Sequence, residues 1–156
     1  MKKYLFNTEE SWAGTIIRVM LGIVMFPHGA QKLLGWFGGF GFTGTMEFLT
    51  GSVGLPWIVG FFVITLEFFG AIALILGFAT RIIGISFFFL LLGIVFTSHT
   101  DHGFFMNWLG TQKGEGVEYF LLALGMSLAL AVTGGGRMSL DRFFGSGFKA
   151  DEVNYI

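Results

Sequence analysis

The stretch WAGTIIRVMLGIVMFPHGAQKLL, Trp12 to Leu34, decides the fold. It is apolar for almost its whole length, and it is about as long as a helix must be to cross a ~30 Å hydrocarbon core at ~1.5 Å per residue. Working outward, three more runs have the same character, at about 55–79, 82–98 and 117–133. The chain of 156 residues is 54% hydrophobic and only 12% charged. A soluble domain carries about twice that charged fraction, so the expectation is an all-α integral membrane protein, a four-helix bundle that uses the whole length as one domain. A short polar tail follows at 137–156 and is expected along the membrane surface. The formal net charge is −1 and no basic patch exists, which leaves no basis for nucleic-acid binding. With no cysteine, disulfides, thiol nucleophiles and thiolate metal sites are excluded.

Met1-Lys2-Lys3 before an apolar segment has the outline of a signal peptide. The first run is longer than a signal core, contains Arg18 and has no small-x-small site after it, so it reads as a retained first span. Orientation follows from Lys and Arg. One side holds Lys2, Lys3, Arg81, Arg137, Arg142 and Lys149; the other holds Lys32 and Lys113. Six against two places both termini in the cytoplasm, and the side with His28, Lys32, His99, Asp101, His102 and Glu115 faces outward. Trp12, Trp36, Trp57 and Trp108 fall near span ends, as an interfacial aromatic belt requires. The 21 phenylalanines are ordinary packing and lipid-facing material and carry no functional signal.

Gly39-Phe40-Gly41-Phe42-Thr43-Gly44 matches the dinucleotide pattern G-x-G-x-x-G letter for letter. That mechanism needs a preceding strand and a helix whose N-terminus meets the pyrophosphate. Here the match lies between two spans, so an interfacial or re-entrant loop over 35–54 is expected instead.

Function rests on a few ionisable residues. Arg18 lies ~9 Å into the membrane from the cytoplasmic side and Glu67 ~16 Å from the outer side, counted at 1.5 Å per residue. These depths suit a buried Arg18–Glu67 ion pair that fixes the first helix against the second; the alternative is a Glu67 that carries protons. His28, Gln31 and Lys32 close the outer end of the first helix, and Arg18 and Lys32 differ by only ~40° around it. One polar stripe therefore faces the bundle interior. His99-Thr100-Asp101-His102 begins the outer loop after the third run and, with His28, offers three imidazoles and a carboxylate. H-x-D-H matches no established metal spacing, so a neutral histidine that hydrogen-bonds a quinone oxygen is the preferred reading and no metal is assigned.

These residues resemble the DoxX family. His28-Gly29-Ala30-Gln31-Lys32-Leu33 follows an apolar helix with Arg18; Glu67-Phe68-Phe69-Gly70 leads into Leu76-Gly77-Phe78-Ala79-Thr80-Arg81; and Gly134-Gly135-Gly136-Arg137-Met138-Ser139-Leu140-Asp141 is similar to the family's C-terminal signature. The resemblance covers about Thr15 to Asp141. It implies a four-helix membrane bundle, with Arg18, His28, Lys32, Glu67 and Arg81 at the family's characteristic polar positions. It also implies association with membrane oxidoreductases, the family taking its name from a small subunit linked to a quinol oxidase and to thiosulfate:quinone oxidoreductase. The family has no agreed catalytic set to transfer.

The leading expectation is thus a quinone-linked subunit in the bacterial inner membrane. His28, Lys32, His99 and His102 would form the quinone site. In it His28 or His102 bonds a quinone oxygen, Lys32 stabilises the reduced oxyanion, and Glu67 passes protons inward. The chain has no evident haem, flavin or cluster ligands, so a protein partner must deliver electrons. The alternative is a non-catalytic accessory or assembly subunit. A small transporter or lipid-binding bundle ranks third, since no broken helix pair marks a midplane site.

Overall fold

The computed structural model describes residue 8 and residues 10–145. Among them there is no strand. Helix α1 is Trp12–Leu34, α2 is Gly41–Glu47, α3 is Trp57–Leu76, α4 is Thr80–Ser98 and α5 is Glu118–Thr133. Residues 140–145 begin a further helical turn. Helices α1, α3 and α4 are long and apolar enough to cross a membrane; α5, with 16 residues, is apolar but shorter.

Local chemistry sets these limits. The Ser11 hydroxyl caps α1 by accepting from the backbone N–H groups of Ala13 at 3.1 Å and Gly14 at 3.4 Å. Gly35, at φ 74°, ends it in the left-handed conformation that glycine adopts without strain. Pro27 sits inside α1 without ending it, as membrane helices tolerate when neighbours satisfy the freed backbone group. The second span starts at Trp57 rather than 55 and stops at Leu76 rather than 79, because Gly77 turns left-handed at φ 71°. The third begins earlier than expected, at Thr80.

The 35–54 connection is more ordered than a loop. Helix α2 runs into a π-helical turn, Phe48–Ser52. Met46 and Leu49 pack on Ile64 of α3, with Leu33 of α1 beside them. The amphipathic signal was hidden by glycines, which depress helix propensity in water but do not prevent a helix that has an apolar surface to lie on.

The main core joins α1, α3, α4 and α5 through Leu21, Met25, Leu74, Phe87, Leu91 and Leu130. Lipid tails are as apolar as these side chains, so close backbone approach must hold the helices together. Two glycines provide it. A Cβ at Gly29 of α1 would collide with the backbone of Glu67 and Phe68 on α3; one at Gly84 of α4 would come within 2.9 Å of the Ser127 carbonyl oxygen on α5.

The four belt tryptophans are all exposed, and Arg137 lies over the Trp12 ring at 5.7 Å. Of the residues used to orient the chain, Lys2, Lys3 and Lys149 lie outside the described residues, as does the tail from 146 onward. In the described part of the tail Ser139 and Asp141 are buried against the bundle, while Met138, Leu140 and Phe143 are exposed.

Candidate functional site

Glu67 lies in a π-helical turn of α3, Leu66–Gly70, an irregularity that recurs at functional positions in membrane and soluble helices alike. Its side chain is 1% exposed. One carboxylate oxygen, Oε2, accepts from the Lys32 ammonium at 2.5 Å; the other, Oε1, is buried and has no hydrogen-bond partner among the described residues. Lys32 is 29% exposed, so its stem lies along the bundle while its charged end meets Glu67. His28, one turn earlier on α1, is exposed and within electrostatic reach of both charges. Its ring makes no hydrogen bond among the described residues.

The expected Arg18–Glu67 pair does not form. Arg18, 2% exposed, spends its guanidinium on four backbone carbonyls: Nε donates to Gly135 at 2.7 Å, Nη1 to Leu74 at 3.0 Å and Ile75 at 2.5 Å, and Nη2 to Met138. The reason is the direction of side chains on a helix. The Cα–Cβ bond tilts toward the helix N-terminus, so Arg18 reaches back toward the end where α3 finishes. Lys32, at the far end of α1, reaches back by the same rule and meets Glu67. Depth counting from the α-carbons ignored that offset and assigned the wrong cation.

The carbonyl nest around Arg18 joins three segments. Leu74 and Ile75 belong to the last turn of α3, where the Leu74 carbonyl also accepts from the Gly77 N–H at 3.0 Å; Gly135 and Met138 belong to the turn after α5. Asp141 completes the lock. Its carboxylate accepts from the backbone N–H groups of Ala79 at 2.6 Å and Thr80 at 2.8 Å, capping α4 from 61 residues away in sequence. Its own N–H donates to the Gly77 carbonyl at 2.9 Å. The Gly134–Asp141 segment is therefore a structural clasp. Arg81 donates to the Ala131 carbonyl at 3.0 Å.

The outer histidines belong to a different neighbourhood. His99 Nδ1 lies 2.7 Å from the Glu115 carbonyl oxygen, and its ring packs on Phe120 at 4.4 Å. His102 Nδ1 lies 3.2 Å from the Ser98 carbonyl oxygen, and its ring lines a depression with Asp101, Gln112 and Lys113. Neither bonds His28 or Lys32, so the four-residue outer cluster is corrected to two groups. His28 and Lys32 gather at Glu67, while His99 and His102 organise the loop. Among the described residues, no three His, Asp or Glu side chains are placed to hold a metal ion. The loop is tightly built: Asn107 exchanges hydrogen bonds with Gln112, its N–H donates to Glu115 at 2.7 Å, and Trp108 donates to Glu118 at 3.1 Å.

Two participants escaped the sequence reading. Asp141 looked like tail polarity, although its place at the end of a shared motif was a signal. Tyr119, at the start of α5, is within electrostatic reach of Glu67 and points its hydroxyl at the Met25 sulfur, 3.9 Å away.

Comparison with known proteins agrees with this architecture. The DoxX family model matches residues 13–100. Over 139 residues the chain is 32% identical to a Bacillus subtilis (strain 168) protein named "Putative oxidoreductase CatD", covering 89% of this chain and 92% of the relative. Over 132 residues it is 29% identical to the inner membrane protein YphA of Escherichia coli (strain K12), covering 81% of this chain and 86% of the relative. No solved structure matches. With the family model spanning more than half of its length and three helices fit to cross a bilayer, this integral membrane chain belongs to the DoxX family.

Proposed function

We propose that the chain is a quinone-linked subunit of an inner-membrane oxidoreductase system, with Glu67, Lys32 and His28 as its working site. The observation that carries this reading is Glu67 itself. It is a carboxylate buried inside an apolar bundle, held by one cation through one oxygen only, at a π-helical turn. A purely structural ion pair gains from satisfying all its acceptors, because an unpaired buried polar atom is costly. The names of the two relatives, one an oxidoreductase and one an inner membrane protein, support the general setting.

The residues present fit a quinone headgroup. Two carbonyl oxygens need donors; Lys32 has N–H groups beyond the one given to Glu67, and the His28 ring is exposed and uncommitted. A bound quinone supplies two-electron, two-proton chemistry, its electrons coming from a redox partner. The chain's own part is to hold and to protonate. His28 orients an oxygen by hydrogen bonding, Lys32 neutralises developing negative charge, and Glu67 exchanges a proton with the site. His99 and His102 brace the outer loop rather than the headgroup.

Titrating a short-chain quinone into purified protein in lipid nanodiscs tests this directly. His28→Ala leaves the Lys32–Glu67 pair intact and is expected to weaken binding roughly three- to tenfold, the worth of one hydrogen bond. Unchanged binding, or none in the parent protein, leaves the accessory-subunit reading. That reading is favoured only by the closed geometry of the Lys32–Glu67 contact.

The same proposal puts α1, α3, α4 and the shorter α5 across the membrane with both termini in the cytoplasm. At ~1.5 Å per residue, α5 covers ~24 Å, enough for a thinned or locally adapted core. Reporter fusions at Gly54 and Thr111 are expected to read outward and a C-terminal fusion inward. An outward C-terminus would overturn the arrangement.

A further inference from the structure

The loop between α4 and α5 is built inside out. Across 104–109 its large apolar side chains face away from the protein: Phe104, Phe105, Trp108 and Leu109 are all exposed, the last two by 83% and 85%. Asn107, the polar residue among them, is half-buried and turns its amide inward. That amide donates to the Gln112 carbonyl at 3.1 Å and accepts from the Gln112 N–H at 2.9 Å, while the Asn107 N–H donates to Glu115 at 2.7 Å. A loop bathed in water turns its polar groups out; one that satisfies them internally and turns its apolar groups out matches an apolar surface. We propose that residues 104–109 form a lipid-immersed cap, seated at headgroup depth in the bilayer leaflet beside the start of α5.

Helix α5 supplies the reason for lipid rather than another protein. Its 16 residues cover ~24 Å, ~6 Å less than a ~30 Å hydrocarbon core. The clasp fixes its far end, through Gly135 and Met138 on Arg18, so the shortfall falls at Glu118. Backbone donors at that end would meet lipid with no water to accept from them. The loop closes them: the Phe104 carbonyl accepts from the Glu118 N–H at 2.9 Å and the Gly103 carbonyl from the Val117 N–H at 3.2 Å. The Trp108 indole N–H donates to the Glu118 carboxylate at 3.1 Å and the rest of the ring stays outside, the polar-tipped apolar body that suits a membrane interface. A Cβ at Gly116 would collide with the Phe105 carbonyl oxygen, so the cap lies directly on the approach to α5. Gln112 and Lys113, exposed where the loop returns, keep the immersion shallow. The cap thus makes up the thickness that α5 lacks. It rests on the proposed crossing of α5 and is independent of the quinone.

The chain has no cysteine, so Leu109→Cys offers a single labelling position on an exposed side chain. The full chain, labelled there with bimane, is placed alone in phosphatidylcholine nanodiscs that carry a nitroxide near the headgroup end of the acyl chains. Nitroxide lipid is expected to quench this label several-fold more than it quenches the soluble bimane–cysteine conjugate, and aqueous iodide several-fold less. Phe105→Cys gives a second reading in case one label disturbs the loop. Labels at both positions that iodide reaches as freely as the soluble conjugate overturn the inference and leave the face to a protein partner. The cap and the crossing of α5 fail separately. An outward C-terminal fusion with a lipid-quenched label removes the crossing and keeps the cap, whereas an inward C-terminus with iodide-quenched labels removes the cap alone.

Discussion

Arg18→Met is expected to destabilise the protein by on the order of 3–5 kcal/mol. The guanidinium answers four carbonyls, two at the end of α3 and two in the turn after α5. Methionine fills the space and removes a donor from all four, although the Leu74 carbonyl keeps the Gly77 N–H. Arg18→Lys keeps the charge but offers a point donor in place of a planar fork, so only part of the loss returns. Denaturant unfolding in mild detergent, followed by helicity, measures both. A change below ~0.5 kcal/mol for Arg18→Met would remove the carbonyl nest as a source of stability. The same assay separates this site from Glu67. Leu74 lies seven residues beyond Glu67, roughly 10 Å along the helix, so Arg18→Met and Glu67→Gln are expected to add within ~0.5 kcal/mol.

Lys32 and Glu67 are expected to behave in the opposite way. Lys32→Met leaves a buried carboxylate with neither oxygen paired and is expected to cost ~3–5 kcal/mol. Glu67→Gln is milder, because the amide oxygen still accepts from Lys32 and the ammonium, already partly exposed, can turn outward. Combining the two changes removes the stranded charge and is expected to recover most of the Lys32→Met loss. Double-mutant analysis in the same assay reads this as a strong coupling. Additive damage, or equal damage from the two single changes, would refute the pair.

Much of this was legible in the chain. The first span was bounded by its own sequence, Ser11 before it and Gly35 after it, because caps are local chemistry. The polar residues that matter, Arg18, His28, Lys32 and Glu67, stood out because ionisable groups in apolar runs are rare. Their partners were harder to read. Which cation meets Glu67 depends on the tilt of side chains toward the helix N-terminus, a displacement of several ångströms that residue counting omits. The Arg18 nest and the Asp141 cap join segments over a hundred and some sixty residues apart, and no local pattern encodes such a meeting. Grouping His99 and His102 with His28 failed for a related reason. Sharing a side of the membrane is not sharing a pocket: a loop carbonyl, Glu115, faces one imidazole and the last carbonyl of α4, Ser98, faces the other.

The clasp at the end of the bundle also bears on how the protein is made. Arg18 leaves the ribosome 117 residues before Gly135, the carbonyl that its Nε grips. Until then the first helix carries a charge answered by the Leu74 and Ile75 carbonyls of α3 alone. The segment after α5 supplies the other two carbonyls, along with the cap for α4. Insertion and final locking are therefore separate events, and the order of synthesis makes the C-terminal segment the closing act of assembly. Chains cut short before residue 134 would reach the bilayer with the arginine held by α3 alone and with α4 uncapped, which separates unfinished copies from finished ones.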